Sequence, residues 1–263
     1  MSMIEQAQTG MHDNALIGHT GFVGSTLMGQ ADFTALYRSS NIDEIRGKTF
    51  DTVVCAGAPG VKWKANASPA EDKAAIDKLI DCLGEVHCRR LVLISTVDVF
   101  ANPVGVDEAT PVDTAALHAY GLHRRMLETF VAARFENTLT VRLPGLVGAG
   151  LRKNVIFDLK HGNNVSKIDP RGVFQFYPMD KLWQDIGTAT DAGLRLVHLT
   201  AEPVSVDDIA FDGFGLRLPQ VGTGEPARYD FRTRHADVFG AHGPYQYSKA
   251  DTLAAVRTYA RGA

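Results

Sequence analysis

The stretch "NALIGHTGFVGSTLMGQ" (residues 14–30) decides how the rest of the chain is read. "NALIG" is a short apolar strand and "FVGSTLMGQ" opens a helix, so Gly18, Gly21 and Gly24 stand directly between the two. Glycine permits the tight turn and lets backbone come close to a pyrophosphate, while the helix N-terminus supplies N–H donors and positive potential. A strand before and a helix after are the context that makes such a pattern informative. The spacing here is GxxGxxG rather than GxGxxG. Thr20, Phe22 and Val23 lie between the glycines and join them as expected dinucleotide contacts.

Downstream, apolar runs alternate with helical patterns. "FTALYR" (33–38), "FDTVVCAGAP" (50–59), "RRLVLISTVDVF" (89–100) and "NTLTVRLPGLVG" (137–148) read as strands; 69–85 and 120–135 carry apolar residues at helical spacing. Strands alternating with helices predict βαβ units and a parallel sheet covered on both faces. In such a sheet ligands lie beyond the carboxyl ends of the strands. That rule gathers Gly18, Arg38, the Ala56–Gly57–Ala58–Pro59 run, Ser95, Thr96 and Pro144 at one edge. The slot that selects the adenosine ribose, at the end of the second strand, holds Arg38 followed by Ser39 and Ser40. A guanidinium there suits a 2′-phosphate, so NADP is expected ahead of NAD.

Composition sets few limits. The 263 residues are 45% apolar and 22% charged, ordinary for a globular chain, and can bury a sizeable core. A formal charge of −3 gives no reason to expect nucleic acid or an acidic membrane surface. No apolar run reaches the ~20 residues of a membrane span. "MSMIEQAQTGMHDN" lacks a secretory apolar core and reads as a loose tail, so a cytoplasmic protein is expected. Cys55, Cys82 and Cys88 show no CxxC spacing and read as reduced thiols, Cys55 in the core. His87 beside Cys88 falls short of a metal-ligand set, and no metal is expected.

The glycine turn, "CAGAP" (55–59), "LISTVDVF" (93–100) and "AYGLHR" (119–124), in that order, resemble the extended short-chain dehydrogenase/reductase family of nucleotide-sugar epimerases, dehydratases and reductases. "VRLPGLVGAG" (141–150), "RKNVIFDL" (152–159), "FQFYPMDKLWQDI" (174–186) and "YQYSKADTLAAV" (245–256) extend the likeness over roughly residues 14 to 256. The resemblance implies hydride transfer at a bound nicotinamide, with Tyr120 moving a proton at the substrate oxygen. Thr96 would hydrogen-bond that oxygen, with Ser95 as its possible substitute. A phenol is a poor base at neutral pH and needs positive charge nearby. The family's lysine, four residues after the tyrosine, supplies it and also bonds the nicotinamide ribose; here Arg124 stands in its place. Arginine keeps the charge but is bulkier and planar. Either the site works with a guanidinium, or the chain binds a dinucleotide without turnover as a sensor or scaffold. Arg125 and His123 should point to other faces, His123 as a surface residue.

On the substrate side the resemblance points to Asn154, Tyr177, Arg228 and Arg232, Asn154 having helix capping as its alternative role. Asp180 takes a strand-to-helix position, and Pro178 departs from the family's valine. Trp63, between Lys62 and Lys64, is placed on a loop near the cofactor edge as a candidate lid. The expected architecture is α/β: a Rossmann-type doubly wound parallel sheet with a small interleaved C-terminal substrate lobe. Residues 12–150 would form the dinucleotide domain, with roughly 174–203 returning to it, and 151–173 and 204–263 the lobe. The lobe is short for a full nucleotide sugar, so a smaller or more open pocket is expected. A small-molecule substrate is the expected partner, and the apolar face of 120–135 is compatible with a homodimer.

Overall fold

The structure is a computed structural model that describes residues 13–219 and 224–262. Residues 1–12 of the expected tail, and the domain limit at residue 12, lie outside the described residues, while Asn14 at its end already belongs to the first strand. In chain order the elements are β1 (Asn14–Ile17), α1 (Phe22–Met28), β2 (Ala35–Tyr37), β3 (Thr49–Cys55), α2 (Lys62–Ala67), α3 (Pro69–Gly84), β4 (His87–Thr96), β5 (Val104–Val106), α4 (Ala119–Arg134) and β6 (Thr138–Leu143). Then follow β7 (Gly145–Val147), α5 (Val155–His161), β8 (Val173–Phe174), β9 (Phe176–Pro178), α6 (Leu182–Asp191), β10 (Leu196–His198), β11 (Val204–Ser205), α7 (Val206–Phe214), β12 (Asp230–Phe231) and α8 (Lys249–Arg261).

Six strands form one sheet in the order β10-β6-β4-β3-β1-β2, and every pairing in it is parallel. The strand order reverses between β1 and β3, so the crevice above that point is where ligands enter such sheets. Alternation explains why both faces are covered. Ala15, Ile17, Val53, Cys55, Leu91 and Leu93 point to one side, packing with Ile76 and Leu83 of α3 and Leu127 and Val131 of α4. Leu16, Val54, Val92 and Val141 point to the other, packing with Leu27 of α1 and Leu182 and Ile186 of α6. Each such fully buried aliphatic side chain contributes about 1.5–3 kcal/mol.

Elements of the second half divide between the sheet and a smaller cluster. α6 and β10 join the sheet, β10 pairing with β6 at Val197↔Val141. α5, α7 and α8 pack around Ile156, Ile209 and Val256 with Phe176 of β9. The run 137–148 holds two strands, the first ending before Pro144 as expected and a second, β7, beyond it. Pro144 lacks the N–H that would continue the ladder, and β7 beyond it pairs with β9 in a separate two-stranded sheet. The segment carrying Trp63 is not a loop but helix α2. Among the described residues no helix is long and apolar enough to cross a membrane.

Candidate active site

The turn after β1 is packed too tightly for anything but glycine. Gly18 has φ +89°, and a Cβ there would sit 2.3 Å from the Ala56 carbonyl oxygen; one on Gly24 would sit 2.1 Å from that of Gly18. This closeness draws α1 against β1 and β3, the strands flanking the switch point. Gly21 is less confined, a Cβ there meeting Gly18 O at an ordinary contact distance of 3.4 Å. No acidic residue stands in the first turn of α1, so the turn's N–H groups and field suit an anionic ligand. Thr20 and Gly21 are exposed, Phe22 and Val23 half-buried, and Ala56, Gly57 and Ala58 line the neighbouring strand end. The turn is also tied to β2: Gly18 N–H donates to Tyr37 O at 2.7 Å. Just beyond lie Arg38, Ser39 and Ser40, all exposed.

Further along the same edge, β4 ends at Thr96, which is paired in register with Leu143, the residue before buried Pro144. A short turn follows at Val97–Val99, capped by Thr96 Oγ1, which accepts from Asp98 N–H at 3.1 Å. Helix α4 begins against this turn. A Cβ on Gly121 would lie 2.1 Å from the Asp98 carbonyl oxygen, so only glycine lets the helix start come this close. Tyr120 is thereby set beside the turn that Thr96 caps. Asn66 of α2 fixes the backbone by accepting from Tyr120 N–H at 3.0 Å.

Arg124 is not poised toward an open site. Its guanidinium lies over the Tyr120 ring, 4.0 Å from the centroid, and grips Asp72 of α3 with both terminal nitrogens, Nη2 to Oδ1 at 2.8 Å. It also donates to the carbonyls of Pro59 and Tyr120. The Arg124 and Asp72 side chains are 3% and 4% exposed. His123, expected at the surface, is buried because its Nδ1 meets Asp72 Oδ2 at 2.7 Å. The arginine thus locks α4 to α3 and to the loop after β3. Only its Nε is buried without a partner.

A second cation occupies the space near the phenol. Lys62, the first residue of α2, donates to Asp98 Oδ1 at 2.7 Å, and the Tyr229 hydroxyl adjoins both charges. Burial opposes the Lys62 charge, but Asp98 outweighs it and holds the ammonium above its usual range. Burial pushes the Tyr120 phenol up; Arg124, Thr96 and Lys62 oppose that rise, and Asp98 adds to it. Burial and then Lys62 hold His118 below the usual imidazole range. Lys153 Nζ lies 3.6 Å from where a Gly60 Cβ would be, and burial, then Arg124, lower its ammonium. The sequence showed Lys62 only as a neighbour of Trp63. Asp98, two residues past Thr96 at a strand end, was the available signal for this pair.

Several expected site residues are placed elsewhere. Ser95 points away from Thr96 into the interior, donating to Glu128 Oε1 at 2.6 Å, and Glu128 in turn is gripped by buried Arg142 at 2.7 Å. Asn154 caps α5: its Oδ1 accepts from Ile156 and Phe157 N–H, and its Nδ2 donates to Leu146 O at 2.8 Å. That uses the side chain locally, as capping asparagines do. Tyr177 is fully buried, its hydroxyl donating to Asp185. Arg228 is exposed, and Arg232 is paired with Asp230. Asp180 is exposed, its carbonyl accepting from Gln30 Nε2 at 2.9 Å. Trp63 is 75% exposed.

No protein-family model and no curated protein sequence matches the chain. Solved structures do. A UDP-galactose 4-epimerase superposes with a TM-score of 0.72 at 18% identity, covering 95% of this chain and 99% of the epimerase. A UDP-N-acetylglucosamine 4-epimerase from Methanobrevibacter ruminantium M1, in complex with UDP-N-acetylmuramic acid, gives 0.74 at 12% identity, covering 95% and 97%. A dTDP-4-dehydrorhamnose reductase from Bacillus anthracis str. Ames, in complex with NADP, gives 0.72 at 16% identity, covering 97% and 99%. The chain shares the fold of these enzymes over nearly its whole length.

Proposed function

We propose that the chain is an NADP-preferring oxidoreductase, epimerase or dehydratase of the extended short-chain type, acting on a nucleotide sugar or a related hydroxy or keto compound. The observation that carries this reading is that Gly121 seats the start of α4 on the turn capped by Thr96, which sets Tyr120 and Thr96 together at the sheet edge that also bears the glycine turn. Exposed Gly21, the absence of acids in the first turn of α1 and exposed Arg38 fit a phosphorylated dinucleotide. When bound, that cofactor supplies hydride transfer at the substrate carbon. The protein's own task is then at oxygen: Thr96 orients the hydroxyl or carbonyl, and Tyr120 takes or returns its proton.

Support also comes from neighbours whose structures hold NADP, or NAD together with UDP-glucuronic acid. The reading is tested by titration with NADP and NAD, followed by reduced-nicotinamide absorbance across a panel of sugar nucleotides. Arg38→Glu is expected to weaken NADP binding about tenfold to a hundredfold, because a charge-assisted contact is lost and repulsion added, while NAD binding changes little. Equal losses for the two cofactors would place Arg38 away from the 2′-phosphate.

A second reading, a dinucleotide sensor or scaffold without turnover, is favoured by one observation: Asp72 and two carbonyls occupy both terminal nitrogens of Arg124. Tight NADP binding with no change in nicotinamide absorbance on any substrate would select it.

A further inference from the structure

Two cations stand at this edge, Arg124 against the Tyr120 ring and Lys62 on Asp98, and they differ in what they are free to do. Lys62 belongs to the helix whose Asn66 holds the Tyr120 N–H, and Asp98 Oδ2 accepts from Thr96 Oγ1 at 3.5 Å. Arg124 lies against the ring face, its charge matched by a bidentate carboxylate in a nearly water-free setting. Both its terminal nitrogens are committed. The Lys62 side chain is 42% exposed and donates at 2.7 Å to Asp98, whose side chain is 16% exposed, with the Tyr229 hydroxyl beside both. An ammonium carries three donors on a flexible stem, so beyond Asp98 and Tyr229 one is left for an oxygen arriving beside Tyr120.

Lys62 comes from α2 and Asp98 from the turn after β4, while Tyr229 precedes β12, so three separate segments converge on the pair. The other titratable groups about the phenol are His118, with its ring 6.3 Å from that of Tyr120, and Arg124 on α4 itself. Lys153 stands beyond, beside Gly60.

We propose that Lys62, held by Asp98 and adjoined by Tyr229, is the working cation of the site, and that Arg124 is a positioning residue that fixes α4. This rests on Tyr120 being the acid/base. As Tyr120 passes its proton to the substrate oxygen, its O–H bond breaks, a substrate O–H bond forms and a phenolate remains. Lys62 stabilises that phenolate and, in the reverse direction, favours its formation. Asp98 opposes it, so the balance of the pair sets how readily the proton moves.

The test reads the phenol directly. Tyrosine ¹³Cζ NMR of the full chain identifies Tyr120 as the resonance lost in Tyr120→Phe. Its ionised fraction is compared at one pH near the ordinary phenol midpoint of about 10. Lys62 stays charged there because Asp98 holds its ammonium above the usual range. Lys62→Met is expected to cut the ionised fraction about tenfold, Lys62→Arg to keep it, and Asp98→Asn to raise it. The rescue by arginine and the opposite sign at Asp98 would not follow from a merely structural Lys62. Equal fractions in all four proteins would overturn the proposal. In turnover, Lys62→Met is expected to lower kcat about tenfold with the cofactor KM unchanged. A wild type that turns over nothing refutes the enzyme reading instead, and the ionised fractions then decide Lys62 alone.

Discussion

Replacing Asp72 by alanine is expected to destabilise the fold by about 3–5 kcal/mol, because it leaves the buried Arg124 charge without its partner. The pair spans two helices whose contact covers one face of the sheet, and Asp72 also holds His123 at 2.7 Å. For a chain of this length the loss corresponds to a fall in melting temperature of about 10 °C. Removing both charges should cost far less: the Asp72→Leu, Arg124→Met double variant is expected to recover most of the loss. Burial opposes the Asp72 charge, but Arg124 and His123 outweigh it and hold the carboxyl below its usual value. Its folded value therefore lies below its unfolded one, and the stabilisation is complete above the unfolded value of about 4. It is lost as pH falls through the folded value. Urea unfolding of wild type and Asp72→Ala should show a gap that is constant near neutrality and closes in acid. A gap that persisted unchanged in acid would contradict the ion-pair account.

Tyr120→Phe is the second large effect, expected to lower turnover about 10²–10⁴-fold, the usual contribution of a positioned acid/base. The change removes one hydroxyl. The ring stays on the Arg124 guanidinium, and the backbone keeps its bond to Asn66. Fold and cofactor affinity should therefore survive, which separates a chemical role from a structural one. Steady-state kinetics beside an NADP titration checks this. A comparable loss of NADP affinity would mean that Tyr120 holds the cofactor rather than moving a proton.

The sheet and the glycine turn were legible because their signals are local. Alternate residues of β1, β3 and β4 serve opposite faces, so a continuous apolar run marks a doubly covered strand, and three glycines mark the turn between strand and helix. The roles proposed for Tyr120 and Thr96 came from the resemblance of "STVDVF" and "AYGLHR" to a known family, not from any local physical signal. What was hidden depends on residues far apart in sequence. Arg124 finds Asp72 across 52 positions, and no spacing within "AYGLHRR" reveals that its fork is already occupied. Lys62 faces Asp98 only because α2, expected as loop, folds against the edge. Asn154 takes the capping role the sequence offered as its alternative, and Tyr177 packs inward toward Asp185, a partner that motif position does not reveal.

The central claim is that this sheet edge moves a hydride and a proton together, with Tyr120 carrying the proton. The most direct measurement is single-turnover absorbance of the nicotinamide in the protein–cofactor complex, mixed with the sugar-nucleotide panel, for wild type and Tyr120→Phe. The account predicts a substrate-dependent change in the wild type that is slowed by orders of magnitude in the variant. Wild type and variant giving identical traces, with cofactor bound in both, would contradict it.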